Sequence, residues 1–225
     1  LMRLLTLAVV LFLLPASLAQ AQDDRSLRDS LKLATEQLEY HPDSVDLRLR
    51  KASFNLQLQQ WAYAKNEYDY VLDRNPYNIA ALYYRAYANE QLRRYSFARL
   101  DYENLLKIVP GNFEAQLGLA LLNQKARRYT DAYNQINHLV EQFPDSAIAY
   151  AARAGIENER NMLDLAEYDY TEALKRCDND DWCLSRADVR IRLKKFDAAR
   201  ADLERLVQKG TPRVALKEWF KRLKH

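Results

Sequence analysis

Residues 79–110 read IAALYYRAYANEQLRRYSFARLDYENLLKIVP. Apolar and small residues recur at helical spacing in two runs, Ile79 to Leu92 and Ser96 to Val109, with the polar pair Arg93-Arg94 between them. The stretch closes on Pro110, one of four prolines, Pro42, Pro76, Pro110 and Pro144, that stand 34 residues apart. Ala86 belongs to a second series with that step, Ala52, Ala86, Ala120 and Ala154, followed one residue early by Ala187. Ala98 belongs to a third, Ala64, Ala98, Ala132 and Ala166, again followed one early by Ala199. A bulky residue precedes each member of the third series by three positions: Trp61, Tyr95, Tyr129, Leu163 and Phe196. Three registers sharing one period make residues 79–110 one copy of a repeat, and a period of this length means stacked supersecondary units.

Each repeated residue has a physical reason. A small Ala on each of two antiparallel helices lets them approach closely, so Leu in its place would overpack the contact by about 1–3 kcal/mol. The bulky residue at the turn fills the open end of the wedge between hairpins. Proline stops the second helix, because it cannot continue the ladder and the residue before it avoids the helical region. A single hairpin cannot bury both faces, so stability must come from neighbours.

Composition agrees with such an array. Among 225 residues there are only four Gly and six Pro, which argues against a many-turned β-protein. With 48% hydrophobic and 29% charged residues the chain is neither disordered nor an integral membrane protein. A formal net charge of +3 does not call for a nucleic-acid partner.

The pattern resembles the tetratricopeptide repeat family, and its clearest copy here is Leu82, Ala86, Tyr95, Ala98, Tyr102 and Pro110. The match runs from Val45 to about Thr211. The resemblance implies an all-α, right-handed α-solenoid of about five helix-turn-helix repeats, 45–78, 79–112, 113–146, 147–179 and 180–212. Amphipathic segments at 22–44 and 213–225 read as capping helices, the first through Leu27, Leu31, Ala34 and Leu38, the second through Leu216, Trp219, Phe220 and Leu223. A basic helix such as the second also has the character of a membrane-surface element. The chain departs from the family where an aromatic is replaced by Asn55, Asn89 and Asn123, and where the fourth repeat ends Cys177-Asp178 without proline.

Residues 1–21 carry Arg3, an apolar run from Leu4 to Leu14, the breaker Pro15 and the small-x-small end Ala19-Gln20-Ala21. This is the pattern of a cleaved secretory signal, and the run is about half of the roughly 20 residues a membrane span needs. The expectation is an exported chain, periplasmic or secreted, of Gram-negative bacterial type, with no stable span after cleavage. In such a compartment Cys177 and Cys183 are expected to form a disulfide.

One pattern lies beyond the family consensus. Before each first-helix Ala stands Lys51, Arg85, Leu119, Arg153 or Arg186, and sixteen residues on stands Glu67, Asp101, Gln135, Asp169 or Asp202. The repeat that lacks the base also lacks the acid. These positions mirror each other about the turn, so an ion pair is expected inside four repeats and an uncharged substitute in the third.

No catalytic constellation emerges. There is no Gly-rich phosphate loop, no His pair at metal spacing and no Gly-flanked Ser, so neither cofactor nor metal is expected. Asp180 or Asp181 reads as a helix cap rather than part of a calcium loop, and His41 and His138 read as surface residues on second helices.

Binding is where the resemblance points. First-helix positions not spent on hairpin packing form the expected concave groove: Leu49, Arg50 and Ser53; Tyr83, Tyr84, Tyr87, Glu90 and Gln91; Leu117, Leu121 and Lys125. Tyr supplies contact area at small entropic cost, so the second repeat's cluster is the expected anchor for a protein or peptide partner. The alternative for Tyr83 and Tyr87 is packing between helices. The chaperone-binding members hold a terminal carboxylate with Lys and Asn, and Leu49, Ser53, Tyr84, Glu114 and Gly118 at those positions do not supply such a clamp. A second function class is a structural scaffold using the convex face or the ends, for which the second-helix tyrosines Tyr68, Tyr70, Tyr102, Tyr168 and Tyr170 are candidates. RNA binding is disfavoured by the charge.

Overall fold

The computed structural model describes residues 23–223, and the signal-like segment 1–21 lies outside them. Every regular element among the described residues is helical. The chain divides into two compact units, one ending at Pro110 and one starting at Gly111.

The first unit opens with α1 over residues 23–40, on which Ala34 and Leu38 are buried and Leu27 and Leu31 half-buried, the face expected of a cap. It continues with α2 (Val45–Gln57), α3 (Trp61–Arg74), α4 (Ile79–Gln91) and α5 (Tyr95–Ile108). α2 packs on α3 and α4 on α5 as hairpins, and α3 packs on α4 to join the two.

The second unit contains α6 (Phe113–Lys125), α7 (Tyr129–Gln142), α8 (Ala147–Glu159), α9 (Leu163–Arg176), α10 (Asp180–Arg192), α11 (Phe196–Gln208) and α12 (Lys217–Arg222). Three hairpins, α6 with α7, α8 with α9 and α10 with α11, stack through α7 on α8 and α9 on α10, and α12 closes on α11. Trp219 and Phe220 pack against Ala187, Ile191, Leu203 and Leu206, so the apolar face of the basic segment is spent on covering the last hairpin. No helix among the described residues is long and apolar enough to cross a membrane.

The local chemistry explains the elements. Each first helix starts on a side-chain cap, with Ser44, Asn78, Asn112, Ser146 and Asn179 accepting from the backbone N–H three residues on. The cap of α10 is therefore Asn179, and Asp180 and Asp181 lie in its first turn, where their charge favours the helix dipole. Each first helix ends on one residue in the left-handed region, Gln59, Arg93, Arg127, Asn161 or Lys194, with φ between 57° and 60°. The next N–H then reaches back to a carbonyl five residues earlier, as Arg94 does to Asn89 at 2.8 Å, which closes the helix end and reverses the chain. Trp61, Tyr95, Tyr129, Leu163 and Phe196 are the first residues of the five second helices. All ten periodic alanines are 0% exposed, as close helix approach requires.

The expected polar ladder is present. Lys51 pairs with Glu67 at 2.7 Å and Arg186 with Asp202 at 2.7 Å, and Arg85–Asp101 and Arg153–Asp169 pair likewise. In the third repeat Leu119 is buried, and Asn123 Nδ2 donates to Gln135 Oε1 at 2.7 Å. Two of the three asparagines that replace the family aromatic serve this ladder, since Asn89 Nδ2 also donates to Asp101 at 3.4 Å, whereas buried Asn55 Nδ2 has no hydrogen-bond partner among the described residues.

The expected disulfide is not formed. Cys177 and Cys183 are free thiols, the first exposed at the end of α9 and the second buried on α10. Cys183 Sγ points instead at the Asp202 carbonyl, 3.6 Å away, because the first turn of α10 turns that side chain inward toward α11. His41 lies in the loop after α1 rather than on a second helix, while His138 is exposed on α7.

Candidate partner-binding cleft

A cleft of about 380 Å³ opens in the first unit between the two first helices, floored by the intervening second helix. α2 contributes Ser53, Leu56 and Gln57, α3 contributes Trp61 and Tyr68, and α4 contributes Tyr84 and Tyr87. Helical spacing sets this. Ser53 and Gln57 lie four apart on α2 and Tyr84 and Tyr87 three apart on α4, so each pair shares a face.

The rings form a connected set. Tyr84 stacks on Tyr68 with centroids 6.1 Å apart and 18° between planes, and Trp61 meets Tyr87 edge-on at 5.8 Å and 82°. Tyr83 touches Tyr84 at 5.2 Å and Tyr102 at 5.9 Å. Tyr84 and Tyr87 remain 45% and 39% exposed, whereas Tyr68 is buried and its phenol is pushed up by burial and by Tyr84. Wall and floor therefore differ: Tyr68 is fixed in the core with Tyr84 over it, and Tyr84 and Tyr87, the latter against Trp61, keep rings open to solvent.

Of the groove residues expected from sequence, Ser53, Tyr84 and Tyr87 line the cleft. Leu49, half-buried, and Arg50 and Gln91, both exposed, lie outside its lining, and Tyr83 is turned toward Tyr102. Glu90 is not a groove residue: it is buried and accepts a 2.7 Å hydrogen bond from Tyr102 Oη, which together with burial pushes the Tyr102 phenol up. Leu117 packs into the core around Ala120, Ile136 and Leu139, Leu121 is half-buried and Lys125 exposed, all three on α6 in the second unit. Sequence reasoning missed Leu56, Trp61 and Tyr68. The repeat explains Trp61 as the bulky residue at the turn, and nothing in the sequence says that it also lines a cleft.

A second cleft of about 280 Å³ is charged, with Lys65, Asp69, Arg85, Asn89, Arg94 and Asp101 around Phe97 and Leu100. Lys65 and Arg85 both hold Asp69, at 2.5 and 2.9 Å, and Arg85 also pairs with Asp101, so these four charges are already matched within the cleft. Of the second-helix tyrosines considered for a convex contact, Tyr68, Tyr102 and Tyr170 are buried and Tyr70 donates to Asp43 at 2.7 Å between two arginines, leaving Tyr168 exposed. No cluster of His, Cys, Asp and Glu suited to a metal ion occurs among the described residues.

Comparison with known proteins agrees with this architecture. A family model described as tetratricopeptide repeat matches residues 55–113 and 117–181. A tetratricopeptide repeat protein from Parabacteroides merdae is similar over 91% of this chain and 80% of its own, at 22% identity and a TM-score of 0.72. A thermophilic protein of this type from Thermus thermophilus is similar over 81% of this chain and all of its own, at 16% identity and a TM-score of 0.63. YrrB, described as having an unusual peptide-binding site, is similar over 84% of this chain and 97% of its own, at 15% identity and a TM-score of 0.59. No curated protein matches the chain.

Proposed function

Because the chain belongs to the tetratricopeptide repeat family, we propose that it is a non-catalytic protein–protein interaction module that takes a protein or peptide partner in the cleft between α2 and α4. The observation that carries this reading is the pair of solvent-facing rings, Tyr84 and Tyr87, held over Tyr68 and Trp61. Exposed aromatics fixed by packing lose little freedom on binding, as interface anchors do. The structural likeness to YrrB adds the fold-level analogy that such an array hosts a peptide site. The proposal includes export to the periplasm or beyond, supported by the signal-like residues 1–21.

The test is crosslinked capture from the cell envelope with the wild-type chain beside a Tyr84→Ala/Tyr87→Ala variant of unchanged helicity. A partner captured by the first and lost by the second is expected. A partner kept by both moves the function elsewhere on the molecule. The scaffold reading then leads, and a specific feature favours it: Phe97 and Leu100, three apart on α5, are 62% and 50% exposed.

A further inference from the structure

Resting on the reading of this cleft as the partner site, we propose that its ligand is an extended, proline-rich and locally uncharged segment of another protein. The described residues lining the cleft are all uncharged, whereas the second cleft of this unit is lined by Lys65, Asp69, Arg85, Arg94 and Asp101. A carboxylate entering the aromatic cleft would leave water without meeting a counter-charge, which is unfavourable. An uncharged apolar segment meets no such cost.

The ring geometry narrows the class further. Tyr84 over Tyr68 presents a stacked pair, and Trp61 against Tyr87 an edge-on pair, so the wall offers ring faces and edges rather than a smooth aliphatic surface. Proline-rich segments in the polyproline II form dock onto aromatic-lined grooves of this kind, and they arrive already extended, with little ordering left to do. Proline has no N–H and presents carbonyl acceptors. Trp61, Tyr84 and Tyr87, which line the cleft, each carry one N–H or O–H able to donate to such a carbonyl, while the rings supply most of the contact. A volume of about 380 Å³ lies within the range of sites that take a small ligand or a short segment.

The experiment titrates the full chain with end-blocked decaproline, followed by calorimetry and indole fluorescence, beside end-blocked decamers rich in Glu or in Lys. Saturable decaproline binding is expected, weakened about tenfold or more by Tyr84→Ala or Tyr87→Ala, with both charged peptides weaker. Tyr84→Phe keeps the ring and is expected to retain most of the binding, which separates loss of the site from loss of the fold. A charged peptide that outcompetes decaproline and depends on the same tyrosines overturns the proline-rich assignment while the cleft keeps its role. Decaproline binding indifferent to both Ala variants overturns the assignment and the cleft together. No saturable decaproline binding at millimolar concentration also overturns the assignment.

Discussion

Arg85 grips Asp101 with two parallel hydrogen bonds across the turn of its hairpin, Nε to Oδ2 at 3.0 Å and Nη2 to Oδ1 at 2.6 Å. Its third nitrogen, Nη1, reaches Asp69 of the preceding hairpin at 2.9 Å. One guanidinium thus closes a repeat and joins it to its neighbour. Arg153 and Arg186 do the same, with Nη1 donating to Asn137 and Thr171 of the hairpin before. Burial holds the Asp101 carboxyl above its usual value, with the hydrogen bonds from Arg85 and Asn89 working against that. The pair therefore fixes geometry more than it adds net stability.

Removing one partner is expected to be costly and removing both to be mild. Arg85→Ala leaves Asp101 buried and uncompensated and should destabilise by about 3 kcal/mol. Arg85→Leu with Asp101→Gln copies the third repeat's Leu119 and Gln135 and leaves Asp69 paired with Lys65, so it should recover most of that loss. Urea unfolding followed by circular dichroism reads the difference. A double variant as unstable as Arg85→Ala would remove the substitution logic.

Glu157 is expected to make stability fall as pH rises. Burial and the Asp169 carboxylate push its carboxyl up to about 8, Tyr133 donates to Oε1 at 3.3 Å, and Oε2 has no hydrogen-bond partner among the described residues. Between the ordinary Glu value and about 8 the folded chain holds a proton that the unfolded chain has lost. The stabilising protonated state is thus complete below that window and is lost as pH climbs through it. The unfolding midpoint should drop from pH 5 to pH 8.5 by an amount worth about 1 kcal/mol or more, and Glu157→Gln should flatten the profile.

Two backbone positions are open to improvement. Gly155 sits inside α8, where an added Cβ would meet only Tyr170 Oη at 4.0 Å, so Gly155→Ala should stabilise by about 0.5–1 kcal/mol. Arg93 holds φ at 58° with a full side chain, and Arg93→Gly should stabilise by a similar amount, about 0.5–1 kcal/mol. Thermal melts of the two single variants and the double variant check both values.

The two thiols should react at very different rates. Cys177 is exposed, whereas Cys183 is buried and burial pushes its thiol up, which lowers its thiolate fraction. Mass spectrometry after brief alkylation should find Cys177 modified in the native chain and Cys183 modified only in denaturant. Equal labelling of both without denaturant would contradict the burial.

The sequence by itself determined the period and everything bound to it. The alanines at helix crossings, the bulky residues opening the second helices, the terminating prolines and the acid–base ladder each answer a requirement that every hairpin repeats. Even the third repeat's exception was legible, because Leu119 and Gln135 change together. What only the tertiary structure decided was which side chains the stacking left open. Glu90 and Tyr87 sit three apart on one helix, yet the first is buried against Tyr102 and the second stands in the cleft. Trp61 and Tyr68, chosen by packing, line the same cleft, and Cys183 meets the Asp202 carbonyl of α11 instead of pairing with Cys177. A repeat pattern records the contacts that every hairpin makes alike. The exposed remainder depends on how far one particular helix is offset from the next, and no single position in the chain encodes that distance.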